Sequence, residues 1–360
     1  MGEWKECKIG DVIKFGNGKV RPNSIGKIPV YGGNGILSFC DEANYENETI
    51  IIGRVGAYCG AVYYENKPIW VSDNALAAKP KEKFNAKFLF YLLKNLELNQ
   101  FAEGSSHPLV TQSLLNSIDV LITDDESEQR AIASVLSSLD DKIDLLHREN
   151  QTLEQIAETL FRQWFVEEAS DDWEEILLND IYMFDKGFEP GSRNYLENKE
   201  ADSIRFIRVG DMLDLKASTY IKKEPGQITC GKKDLLVSFD GTIGRVSFGL
   251  EGAYSSGIRK VYSLNPVYNS LGLKYLLFTS REIQDVIKSH SSGTVIAHAG
   301  SSIDYLTFRF PKKNRLQEFN QITDPMFFKI TKNLDQIETL EKLRNNLLPK
   351  LISGEVRVKI

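Results

Sequence analysis

Three short stretches of this 360-residue sequence hold residue types that could bind or modify a nucleotide, and each is broken where the chemistry needs it whole. Tyr31-Gly32-Gly33-Asn34-Gly35 approximates an aromatic-x-Gly-x-Gly loop. Pro29 precedes it, however, and no helical pattern follows to aim backbone N–H groups at a ligand. Asn265-Pro266-Val267-Tyr268 lacks the second proline of the Asn-Pro-Pro-Tyr motif of adenine methyltransferases. Residues 226–233 fit the spacing GxxxxGK, but Lys233 stands where a hydroxyl should hold Mg²⁺, and a strand-like run follows instead of a helix. His107, His147, His290 and His298 share no metal spacing and no triad, and Cys7, Cys40, Cys59 and Cys230 form no CxxC pair. The residues thus offer no catalytic set and no metal site. The thiols read as reduced and the chain as cytoplasmic. Without an apolar signal core or a run near the ~18 residues that span a bilayer, no membrane role is expected.

The elements that would position any site come twice. Glu3-Trp4-Lys5-Glu6 through Asp11, Phe15 and Gly18 is echoed by Asp172-Trp173-Glu174-Glu175 through Asp180, Phe184 and Gly187. Each copy passes through an apolar strand into a glycine-rich turn, Ile50-Ile51-Ile52-Gly53-Arg54-Val55-Gly56 and Leu235-Leu236-Val237-Ser238-Phe239-Asp240-Gly241. Short β-branched and aromatic runs predict strands at 27–31, 49–52, 61–64, 118–122, 204–209, 234–239 and 306–310. One helix per copy is predicted, at 86–98 and 271–289. The expectation is an α+β fold with two pseudo-repeated units, 1–125 and 172–311, each followed by a helical region, 126–171 and 312–360.

The helical regions carry heptads. In the first, Ile132, Leu136, Leu139, Ile143, Leu146, Asn150, Leu153, Ala157, Leu160 and Trp164 step strictly by four and three. In the second, Met326, Ile330, Asn333, Ile337, Leu340, Arg344, Leu347 and Leu351 do the same, and Asp324-Pro325 reads as cap and first turn, placing the start near 325. Pro349 is expected to kink or finish that helix. A helix from 132 to 165 would be about 50 Å long, too long for one small domain to cover. An antiparallel coiled coil of two such rods, spacing two domains, is the natural use. Charge agrees: residues 126–171 carry 4 Lys+Arg against 11 Asp+Glu, and residues 312–360 carry 10 against 6. Opposite signs help select partner and orientation. Both globular units are near neutral, so the net charge of −6 is not spread over them. A pseudo-two-fold chain suits a two-fold-like ligand, foremost duplex DNA.

Several stretches resemble the specificity subunits of type I restriction-modification systems. Residues 130–145, with Leu139-Asp140-Asp141-Lys142-Ile143-Asp144, and residues 160–166, Leu160-Phe161-Arg162-Gln163-Trp164-Phe165-Val166, are similar to that family's central conserved helix. Residues 346–356 are similar to its C-terminal conserved region. Gly187-Phe188-Glu189-Pro190-Gly191-Ser192 with Arg208-Val209-Gly210-Asp211 resembles one type of target recognition domain, and residues 31–35 with 53–60 another. The resemblance spans essentially the whole chain. It implies a non-catalytic subunit whose two target recognition domains read the halves of a split, asymmetric DNA site. The helices would serve as ruler and as dock for two methyltransferase (modification) subunits, with restriction subunits joining them. S-adenosylmethionine, ATP and Mg²⁺ would belong to those partners and none to this chain. Alternatives are the specificity subunit of a system that fuses modification and cleavage, a self-contained DNA methyltransferase or nuclease, and a coiled-coil scaffold without a DNA role.

On this reading the DNA contacts of the first unit are Asn34, Arg54, Tyr58, Asn74 and His107, with Lys19 and Arg21 on phosphate. Those of the second are Arg193, Arg208, Thr242, Arg245, Ser255, Arg259 and Thr294. All adjoin glycine-rich turns, where a side chain projects from a rigid frame. Tyr58 suits a core or shape-supporting place better than a base, and Asp240 suits holding its own turn. Arg54 could equally pair within its domain, and Asn34 and Asn74 could simply close turns. On the helices Asp140, Asp141, Asp144 and Glu154 are candidates for partner docking, though charge there also fits a solvated face.

Overall fold

The computed structural model describes residues 3–104, 108–214, 219–290 and 298–359. His107 and Thr294 lie outside them. The chain divides into two compact units, residues 1–144 with 338–360, and residues 145–337. Each long helix therefore contributes to both units.

In the first unit the strand Trp4–Lys8 pairs antiparallel with Asp119–Thr123. A single helical turn, Ile9–Val12, then leads into Ile13–Asn17, its entry fixed by the Lys8 N–H donating to the Asp11 carboxylate at 3.0 Å. A four-stranded sheet follows in the order Ile13–Asn17, Ala75–Pro80, Thr49–Gly53, Val62–Glu65, all neighbours antiparallel. Ile50, Ile51 and Ile52 are fully buried because both faces of that strand are covered. The helix Ala86–Asn95, capped by the Asn85 side chain on the Phe88 N–H, supplies Phe88, Leu89 and Leu93 to the core. A smaller sheet sets Ile28–Gly32 between Gly35–Cys40, antiparallel, and Trp70–Val71, parallel.

The second unit repeats this scheme. Glu174–Leu177 pairs with Thr307–Phe310, the turn Leu178–Ile181 follows, and a sheet runs Met183–Lys186, Ile258–Tyr262, Leu235–Ser238, Val246–Ser247. Its smaller sheet again has a central strand, Ser203–Ile207, parallel to Gly252–Tyr254 on one side and antiparallel to Tyr220–Lys222 on the other. The Ser270 hydroxyl caps the helix Leu271–Thr279 as Asn85 caps its counterpart. The expected helix over 271–289 is broken: it ends at Thr279 and restarts at Arg281–Ser289, with Ser280 extended between them.

The first long helix runs Glu126–Arg162 and closes in a π-turn, Gln163–Glu167. The second runs Lys313–Ile352. Two expectations for it need correction. Asp324-Pro325 does not start it, since Leu316 and Phe319, a turn and more upstream, are fully buried in helical spacing. Pro325 is accommodated on the exposed face, where it leaves the Gln321 carbonyl without its helical N–H partner. The Asp324 carboxylate, instead of capping, accepts from the Ser270 hydroxyl at 2.5 Å. Pro349 likewise sits exposed inside the last turns.

Within each unit the two helical stretches run antiparallel. In the first, Arg357 pairs with Glu128 and Arg344 with Asp140, and Leu348, Leu351 and Ile352 share a core with Ile132 and Leu136. In the second, Asn333 meets Asn150 and Arg315 meets Glu168. Every heptad position named from the sequence is buried or half-buried. In the second unit the seam ends in an aromatic cluster, with Phe161 stacked on Phe165 at 4.8 Å and Phe319 edge-on to Phe165 at the same distance. Such pairs add about 0.5–1.5 kcal/mol each beyond area burial.

Candidate nucleic-acid interface

In the first unit three loops converge at one end of the sheets. The two-residue turn Gly33-Asn34 closes the hairpin between Ile28–Gly32 and Gly35–Cys40. The Gly33 backbone lies against the backbone of Gly53, Val55 and Asn74, so the loops after two different strands pack on it. The Arg54 N–H donates to the Asn74 carbonyl at 3.0 Å, and the Gly56 N–H to the Pro108 carbonyl at 3.2 Å. Asn34, Arg54, Tyr58 and Asn74 are thereby brought together on one rigid frame. Asn34 and Asn74 are exposed, and Arg54 is half-buried with its Nε enclosed and without a hydrogen-bond partner among the described residues. Tyr58 does not take a core place, being 55 % exposed. Burial and the Glu65 carboxylate push the nearby Tyr31 hydroxyl up to about 12, so it stays a neutral donor. Lys19 and Arg21 are exposed on the segment after the first sheet strand.

In the second unit the expected residues separate. Arg193 and Thr242 are exposed. Arg208 is half-exposed but gripped by Asp211 through Nε and Nη2 at 2.9 and 3.1 Å, hydrogen bonding that raises its pKa further. Arg245 donates to the carbonyls of Val209 and Gly210, pinning the loop that carries Arg208. Two expectations fail on position. Ser255 is buried beside Ile207, and Arg259 is buried within an interior sheet strand, its guanidinium spent on the carbonyls of Ser256 and Ile258 and its pKa lowered by burial. Neither adjoins solvent as a loop residue would. Asp240 does more than hold its own turn: its Oδ1 meets His298 Nδ1 at 2.8 Å, tying the glycine-rich turn to a loop 58 residues away. With no local spacing to reveal it, that pair was invisible in the sequence.

On the helices, Asp140 and Glu154 are not on a free solvated face. Asp140 accepts from the Tyr91 hydroxyl at 2.8 Å and from Arg344 at 2.7 Å. Glu154 is half-buried against the Tyr275 hydroxyl, and burial raises its pKa. Asp141 and Asp144 are exposed. Among the described residues no group of three or more His, Cys, Asp or Glu could hold a metal ion, and no helix is long and apolar enough to cross a membrane.

Two α+β units of repeated topology, joined by long helices, are a fold with known precedent. The S subunit of a type I restriction-modification system from M. genitalium superposes with a TM-score of 0.65 at 19 % identity, over 98 % of this chain and 96 % of that one. The type I restriction modification DNA specificity domain is matched by residues 1–155. A putative type I restriction enzyme specificity subunit of Haemophilus influenzae is 30 % identical over 274 residues, 70 % of this chain and 69 % of that protein. The MjaIX specificity subunit of Methanocaldococcus jannaschii is 26 % identical over 333 residues, 83 % and 76 % of the two chains. The chain belongs to the specificity subunits of type I restriction-modification systems.

Proposed function

We propose that this chain is the DNA-reading subunit of its complex, that each unit reads one half of a gapped, asymmetric site, and that the chain performs no chemistry itself. The observation that carries this is a sheet topology built twice with unlike residues at equivalent turns. After the first sheet strand stand Lys19 and Arg21 in one unit and Arg193 in the other, and after the strands Thr49–Gly53 and Leu235–Ser238 stand Arg54 and Tyr58 in one and Asp240 and Thr242 in the other. Equivalent frames with different donors and acceptors would read different base edges, hence two unlike half-sites. Successive major-groove faces recur every ~34–36 Å, so a bipartite site is the form such a reader requires. Two modification subunits dock on the helical regions and their flanks, with exposed Asp141 and Asp144 as candidate contacts. Restriction subunits join them, and S-adenosylmethionine, ATP and Mg²⁺ are held by those partners.

The test is methylation mapping in cells that carry this chain with its cognate modification subunits. A two-part gapped motif is expected, and exchanging residues 1–125 for those of another specificity subunit should change one half only. A contiguous motif, or a swap that alters both halves, overturns the reading.

A further inference from the structure

One surface of the first unit has so far been given only the phosphate contacts expected of Lys19 and Arg21. Residues 20–26 form a loop beside the strand Gly35–Cys40, and the two enclose an open cavity of about 750 Å³ lined by Arg21, Pro22, Ile25, Ser38 and Phe39 among others. Ile25 is 93 % exposed and Phe39 52 %. The strand lies at the edge of its sheet, paired only with Ile28–Gly32. Its register slips by one residue, Val30 facing Ser38 and Tyr31 facing Ile36, so that Leu37 is an extra, bulged residue. Regular alternation would turn one of Ile36 and Leu37 inward; with the bulge both are exposed. Three outward apolar side chains within four residues is an unusual arrangement for a solvated edge.

Charge decides what covers it. Residues 12–40 contain Lys14, Lys19, Arg21 and Lys27 and no carboxylate; the nearest acids along the chain are Asp11 and Asp41. All four cations are exposed, and none is in an ion pair among the described residues. Protein–protein interfaces are depleted in lysine, whereas apolar side chains flanked by phosphate-binding cations are how proteins press on and unstack base steps.

We propose that residues 20–26 and the bulged strand Gly35–Cys40 form an apolar wedge against duplex DNA, with Ile25 and Phe39 against the bases and Lys19 and Arg21 on flanking phosphates. This rests on the DNA-reading role proposed above. It adds a mode of reading by deformation, in which base steps that unstack easily are favoured without a hydrogen bond to them.

The test uses the complex with its modification subunits and a duplex of its mapped site, with 2-aminopurine placed within and beside the half-site read by the first unit. Ile25→Ser with Phe39→Ser should weaken binding about 10- to 100-fold, leave the salt dependence unchanged and abolish the fluorescence rise of the unstacked base. Lys19→Gln with Arg21→Gln should instead lower the slope of log K against log salt by about 2. Wild-type affinity and fluorescence in the serine variant would overturn the inference. So would dissociation of the complex with DNA binding by the remaining assembly intact, which would assign the surface to a protein strand added at the edge. If the wild-type complex shows no gapped motif, the DNA-reading role itself fails; if it does and the variants match it, only the wedge falls.

Discussion

Asn333 Nδ2 donates to Asn150 Oδ1 at 2.7 Å, and both amides are buried in the helical seam of the second unit. Asn333 also donates to Glu149 at 2.9 Å, so both of its N–H groups are satisfied. Two polar residues facing each other in an apolar seam specify one register, because any slip would bury each without a partner. Asn150→Leu should cost about 1–3 kcal/mol, since it strands one N–H of Asn333. The double variant Asn150→Leu, Asn333→Leu should recover most of that loss. Urea unfolding of the four proteins of the cycle checks it, and additive losses would rule out the pairing.

A second polar lock lies in the first unit, where Asp140 is held by Tyr91 and Arg344. The carboxylate and guanidinium are mostly buried, 26 % and 14 % exposed in their side chains. Removing one partner leaves the other's charge poorly compensated, so Arg344→Ala should destabilise by about 3 kcal/mol. Arg344→Ala combined with Asp140→Ala should cost less than the sum of the single changes. A thermal-unfolding cycle reads the coupling; a coupling near zero would show the pair to be idle.

Lys274 gives a pH signature. It is buried on the helix Leu271–Thr279, donates to Asn269 Oδ1 at 2.8 Å, and burial pushes its pKa down to about 8, against the pull of Asp234 and Asp324. The unfolded chain keeps this proton up to the ordinary lysine range, so between pH 8 and 10 it binds more protons than the folded one. Stability therefore rises with pH in that window, by on the order of 3 kcal/mol in full. Lys274→Met should raise stability at pH 7 and flatten the rise between pH 8 and 10. Denaturation midpoints across that range decide the matter, and an unchanged slope in the variant would refute the assignment.

Pro325 lies on the exposed face of a continuous helix and withholds one backbone hydrogen bond. Pro325→Ala restores that N–H to the Gln321 carbonyl and should stabilise the protein by about 1–3 kcal/mol. A lower unfolding temperature in the variant would contradict this account.

The repeat was legible in the sequence because it rests on steric necessity. Gly18 and Gly187 occupy the same place in each unit, and a Cβ on either would overlap a backbone carbonyl, of Ser72 in one case and of Tyr254 or Ser255 in the other. The seam was legible for a related reason, since a heptad can be read without knowing its partner. Position on the sheets was harder. Gly257-Ile258-Arg259-Lys260 looks like a polar loop, yet it begins a strand flanked on both sides, and Arg259 is buried by residues that no local pattern announces. Asp140 and Glu154 fit a solvated helix face until Tyr91 and Tyr275 arrive from distant segments. The start of the second long helix is not legible locally, because the cap-and-proline pair Asp324-Pro325 is a local signal, overruled by the burial of Leu316 and Phe319.

The first unit is assembled from two separate pieces of chain, residues 1–144 and 338–360. Gly354 packs on the Trp4 indole, and Arg357 reaches the buried Glu128. During synthesis the second unit has all of its residues before the last of these have left the ribosome. The unit that is translated first is thus completed last, and until then its half of the seam is without the side chains that cover it.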